Sequence, residues 1–182
     1  MSTEHLAVWV DDTFACVKIT GRAGCPSSVS FRTLLLGLRD RGWHRFVLDL
    51  TDCQLMDSTF LGVLAGLALR FSEAPASGPR TTMELLNPSP RITGLLDNLG
   101  IAEHFHVHNG HPVATGQLTP LPQQPETASH EELRRASLEA HQLLIRLNPE
   151  NAAKFKDVCK FLEDDLHKLE QKKDEPSQEV PN

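Results

Sequence analysis

RFVLDLTDCQLMDSTFLGVLAGL, residues 45–67, sets the architecture of this chain. Residues 45–50 form a short, nearly continuous apolar run with β-branched and aromatic members, the pattern of a central strand. Asp57, Ser58 and Thr59 then stand directly before an oily segment that continues to about Phe71, the pattern of a capped helix over residues 58–71. A serine at the helix mouth accepts a hydrogen bond from an otherwise unpaired backbone N–H, and Asp57 complements the positive end of the helix dipole. Two readings are open: a plain helix cap, or a switch built on that cap. Spacing alone favours the cap, because Asp, Ser and Thr are ordinary capping residues.

Upstream, LAVWVDDTFACVKIT (6–20) holds two β-prone runs around the polar turn Asp11-Asp12-Thr13, which predicts a β-hairpin. Gly21, Gly24 and Pro26 predict a loop. Phe31, Leu34, Leu35 and Leu38 then share one helical face, with Ser27 or Ser28 as the starting cap and Gly42 as the stop. Downstream, residues 74–80 read as a loop and TTMELLN (81–87) as a strand. NPSPRITGLLDNLGI (87–101) is a short helix: Ser89 caps it, Pro90 occupies the first position, and Ile92, Leu95, Leu96 and Leu99 share a face ahead of Gly100. FHVH (105–108) predicts a last strand. The order β-β-α-β-α-β-α-β argues for an α/β domain over residues 1–110, with a partly parallel sheet and the hairpin as its antiparallel portion.

Residues 111–129, rich in Pro, Gly and Thr, read as a linker. A helical extension is expected over 130–170. Leu133, Ala136, Ala140, Leu143, Leu144 and Leu147 form one helical stripe, and Phe155, Val158, Cys159, Leu162, Leu166 and Leu169 a second. Asn148-Pro149 divides them. These stripes pack on each other, on the domain, or on a second copy as a homodimer or partner-docking arm; the pattern leaves all three open. Residues 171–182 are expected to be disordered.

Composition narrows the function. The formal charge is −6 and no basic run is present, so a nucleic-acid groove is not expected. No stretch approaches the roughly 18 apolar residues of a membrane span, and the N-terminus lacks a secretory pattern. Cys16, Cys25, Cys53 and Cys159 are scattered, which reads as reduced thiols in a cytoplasmic protein. His104, His106, His108 and His111 invite a metal reading, but no Asp, Glu or Cys completes a ligand set, so solvent-facing histidines are expected and no metal or cofactor. Ser58 lacks the Gly-x-Ser-x-Gly elbow of a hydrolase, its neighbours being Met56 and Phe60, and no motif supplies a base. Catalysis is therefore not expected, and a serine hydrolase is the weakest of three readings. Gly62, Ala65 and Gly66 form a small-residue stripe, expected to pack closely on the sheet.

VLDLTDCQLMDSTFLGVLAGL (47–67) resembles the signature of the STAS domain, the fold of anti-sigma factor antagonists. The matching residues are Phe46, Val47, Leu48, Asp49 and Leu50, then Asp57, Ser58, Thr59, Leu61 and Gly62. The element order, and the Pro-containing turn before the helix at 90–99, fit as well. The resemblance implies a mixed sheet of four to five strands with helices packed on it. It also implies a regulator rather than an enzyme: a protein that binds an anti-sigma factor with serine kinase activity, is phosphorylated at Ser58 (Thr59 being the alternative acceptor), and is restored by a serine phosphatase. Asp57, Ser58, Thr59 and Phe60 would form the partner-binding surface. A STAS adaptor that works without phosphorylation, in a transporter or signalling complex, is the second reading. Phe60 departs from the family, which usually has Gly there; exposed, it would exclude the usual kinase or anchor another partner, and packed inward it would fill the core. A phosphate at a helix N-terminus favours the fold by about 0.3–1 kcal/mol, whereas burying it unpaired at an interface costs several kcal/mol. The switch should therefore act on partner affinity and leave the fold intact.

Overall fold

The computed structural model describes residues 5–73, 79–111, 114, 116–121 and 128–174, without side chains for 172–174. Among these residues seven strands form one mixed sheet. β1 (His5–Val10) and β2 (Ala15–Ala23) pair antiparallel, as the hairpin pattern predicts. β2 then runs parallel to β3 (Arg45–Asp49), β3 to β5 (Thr82–Leu86), and β5 to β6 (His106–His108). The apolar run at 45–50 is central because four consecutive residues of β3, from Phe46 to Asp49, are buried. Two short strands were not legible in the pattern. β4 (Cys53–Met56) pairs with β2, and β7 (Thr119–Pro120) adds itself to β1 from within the stretch read as linker.

Helix α1 (Cys25–Asp40) begins two to three residues before the serines expected to cap it. β2 continues through Ala23, so the loop expected at 21–26 shrinks to Gly24. Pro26 fits the first turn, where a missing N–H costs nothing. Ser27 still serves the helix start, its Oγ accepting from the Gly24 N–H at 3.2 Å. The chain reverses at Gly42, whose φ of +105° suits a residue without a β-carbon. Helix α2 (Ser58–Ser72) and helix α3 (Pro90–Leu99) follow the pattern closely; Ser89 caps α3 by accepting from Ile92 N–H, and Gly100 ends it in the left-handed region. Asp49, the acid at the end of β3, is buried and accepts from the Thr51 backbone and hydroxyl at 3.0 and 2.6 Å, which holds the β3–β4 turn.

The extension forms α4 (His130–Leu147) and α5 (Ala152–Asp174), joined by a 3-10 turn at Pro149–Asn151. α5 reaches Asp174, so the first residues of the expected tail are helical; residues 175–182 lie outside the described residues. The two helices pack on each other and are tied by Arg134–Asp165 and Gln142–Glu163 contacts. They also pack on the domain. α4 lies along α2 and touches α1. At its far end Asn151 is fully buried, donating to the carbonyls of Leu99 and Leu144 at 2.9 Å each, and the Asn148 side chain closes over Gly100. Among the described residues no helix is long and apolar enough to cross a membrane.

Candidate functional site

The mouth of α2 is built around Asp57. Its Oδ1 accepts from Phe60 N–H at 2.8 Å, so the capping bond expected of the serine is made by Asp57 instead, while Oδ2 accepts from Cys25 N–H at 2.9 Å. One carboxylate thus satisfies the first turns of two helices, α1 and α2, and complements both helix dipoles. Cys25 sits beside it, its thiol pushed up by burial and then by the Asp57 charge. Asp57→Ala is expected to cost about 1–2 kcal/mol, because two backbone donors lose their acceptor. Urea unfolding checks this, and Asp57→Asn should recover part of the loss.

The four residues singled out at this site have different fates. Asp57 is exposed and Ser58 half-buried. Thr59 is only 5% exposed. Phe60 is sealed completely, its ring tilted against that of Phe31 with centroids 4.9 Å apart. Of the two fates open to Phe60, packing is the one realised: it stands behind the site as core and offers no surface to a partner.

α4 covers the site. His141 Nε2 lies 2.8 Å from Ser58 Oγ, and Ser137 Oγ lies 3.0 Å from Thr59 Oγ1. Leu133 accepts from the Cys25 thiol at 3.5 Å, and Arg32 of α1 pairs with Glu139 at 3.0 Å. Gly62 and Gly66 of the small-residue stripe face α4, which corrects the expectation that they meet the sheet. A β-carbon on Gly62 would stand 2.6 Å from Cβ of Ala140 and 2.7 Å from its carbonyl oxygen; one on Gly66 would stand 3.1 Å from Leu143 Cδ2. Gly62 therefore lets the α4 backbone come close, and Gly66 makes room for the Leu143 side chain.

His141 was not singled out by sequence reasoning. The available signal was its position between Ala140 and Leu144 on the apolar stripe of α4, where a solvated histidine has no place. It is 5% exposed, packs 4.8 Å from the Phe155 ring, and has its pKa lowered from the ordinary 6.5, burial outweighing the Ser137 backbone bond and the Asp57 charge. In the neutral tautomer whose other ring N–H donates to the Ser137 backbone, Nε2 accepts a hydrogen bond from the Ser58 hydroxyl. Because the docked arm holds the neutral form, its contribution to stability is complete above the ordinary value and is lost as pH falls through and below it. Arm protection from hydrogen exchange should therefore drop between about pH 8 and about pH 5. In His141→Phe that pH step should vanish.

The remaining histidines sit elsewhere. His106 is exposed on β6, His104 is in a 3-10 turn, and His108 Nδ1 approaches Glu84 at 3.9 Å. Among the described residues no three His, Cys, Asp or Glu gather as a metal site. A groove of about 760 Å³ runs between α2, α4 and α5, lined by residues that include Val63, Leu67, Arg70, Arg146 and Lys160; neither Ser58 nor His141 opens into it.

A family model of the STAS domain matches residues 5–114. Curated anti-sigma-B factor antagonists of Staphylococcus epidermidis, from more than one strain, are 27% identical over 99 residues, covering 54% of this chain and 87% of theirs. Among solved structures, the anti-sigma factor antagonist SpoIIAA in its unphosphorylated form aligns with TM-score 0.49 and 18% identity over 59% of this chain and 88% of its own. An anti-sigma factor antagonist from Mycobacterium paratuberculosis aligns with TM-score 0.48 and 15% identity over 58% and 86%. The family match ends at residue 114, before α4 begins at His130.

Proposed function

The chain belongs to the STAS domain family, and we propose that it acts as an anti-sigma factor antagonist, binding an anti-sigma factor with serine kinase activity through the mouth of α2. Phosphorylation of Ser58 switches this binding off, and a serine phosphatase restores it. The observation that carries the reading is local: Ser58 opens a helix whose cap, Asp57, is exposed, in the strand–turn–helix setting of the family signature. The curated relatives named as anti-sigma-B factor antagonists support it. Asp57 and Ser58 form the partner-facing part. Thr59 is the alternative acceptor, reached only when Ser137 leaves it.

A phosphate on Ser58 brings about −1.5 to −2 charges to a helix N-terminus, where backbone N–H groups welcome it. It must also displace the His141 bond, so it acts on the arm and on the partner before it acts on the fold. Ser58→Asp is expected to keep the helix content of the domain while weakening partner binding about tenfold or more, since each roughly 1.4 kcal/mol is a factor of ten. Circular dichroism and calorimetric titration read the two effects separately; a large loss of helix signal would count against this account.

The direct test is intact mass after incubation with ATP and a panel of purified anti-sigma serine kinases, the anti-sigma-B factor included, with Ser58→Ala as control. A single added phosphate that disappears in the control supports the switch. Binding without added phosphate supports instead a STAS adaptor, a reading favoured by the engagement of both hydroxyls with α4. The Ser58–His141 pair also resembles half of a nucleophilic site. Labelling by a fluorophosphonate would move the assignment to a serine hydrolase.

A further inference from the structure

We propose that α4 is the resident occupant of the face on which the partner docks, so that α4 and a helix of the partner exclude each other and the chain is held inactive until the arm leaves. This rests on the reading above that Asp57 and Ser58 mark the partner-binding face.

Three observations carry it. First, two of the groups expected to meet a partner are already answered from within the chain, Ser58 by His141 and Thr59 by Ser137, and on the neighbouring helix Arg32 is paired with Glu139. Each is a polar, exchangeable contact that an incoming protein can replace. Second, the surface beneath α4 is shaped for a helix. Gly62 and Gly66, one turn apart, leave a furrow in which the Ala140 carbonyl comes within 2.7 Å of where a β-carbon would be. The Ala140 backbone fills this furrow at Gly62 and the Leu143 side chain fills it at Gly66. Third, the three helices of the domain and every strand but the two-residue β7 lie within the family match, and α4 is an addition after residue 114. The arm thus sets the chemistry of the partner element: an amphipathic helix with Ala or Gly over Gly62, a hydrogen-bonding side chain beside it for Ser58, and an acid within reach of Arg32.

The test uses the full chain in three forms. Ala140→Arg places a long charged side chain at the point where Ala140 lies directly against Gly62, and lifts α4. The double variant Gly66→Cys with Leu143→Cys ties α4 to α2 when oxidised and releases it when reduced. Each is titrated with the purified anti-sigma kinases used above and assayed for Ser58 phosphorylation. If the competent state is a small fraction of the wild type, apparent affinity rises by the inverse of that fraction, so Ala140→Arg should bind about tenfold or more tightly. The oxidised double variant should neither bind nor be phosphorylated until reductant is added. A fluorescent peptide of residues 129–148 should bind Ala140→Arg in trans and not the wild type, which also shows that the face has stayed folded. Should Ala140→Arg fail to fold, the oxidised and reduced forms of the double variant decide alone. Equal binding by wild type, opened and tied forms overturns the exclusion and leaves the proposed function standing. No binding and no phosphate on any form overturns the proposed function, and this inference with it.

Discussion

Phe60→Ala is expected to remove about 3–5 kcal/mol of stability, a large share of the roughly 5–15 kcal/mol that holds a domain of this size. The ring is fully buried and tilts against Phe31, so truncation leaves a cavity bordered by α1 and α2 at the very place where Asp57 joins them. Neither helix can collapse into that space without breaking a bond to the shared carboxylate. The urea midpoint should fall sharply with little change in slope, and Phe60→Leu should recover most of the loss. A variant as stable as the wild type would mean that the ring does not fill the core. The family commonly has Gly at this position; here the extra volume is matched by Phe31, which makes the aromatic pair a packing unit.

Gly62→Ala is expected to divide the molecule's stability in two. In an isolated helix the change would stabilise α2 by about 0.5–1 kcal/mol. Here the new carbon meets Ala140 at 2.6 Å, and the nearest obstacle after it is a backbone oxygen at 2.7 Å, which cannot rotate away. Overpacking of this kind costs about 1–3 kcal/mol, so the contact loses and α4 moves. Hydrogen exchange should show faster exchange in α4 and α5 by about tenfold or more while β3 and β5 keep their protection. Unchanged protection in α4 would mean that the helices slide without parting. The same substitution at Gly37 of α1, which has open space around it, should show only the gain in helix propensity.

Much of this could be read from the chain because it is local. The strand at 45–49, the helix start at 58, the cap Ser89, the stop at Gly100 and the two stripes of the arm depend on residues within a turn or two of one another. β4 and β7 escaped because four- and two-residue strands carry too little alternation to stand out; their pairing with β2 and β1 creates them. α1 began early because Asp57, far away in sequence, supplies the acceptor for Cys25 N–H that a local serine was expected to provide for the helix start.

The site divides along the same line. That an acid and two hydroxyls would stand at the mouth of an apolar helix follows from residues 57–67 alone, since capping and periodicity are short-range effects. Three things needed the tertiary structure: that Ser58 faces a histidine 83 positions later, that Gly62 and Gly66 serve α4 and leave the sheet to other residues, and that Phe60 turns inward. Each depends on where a second amphipathic helix comes to rest. The stripe of α4 specifies that it must be buried, and only the furrow on α2 specifies where.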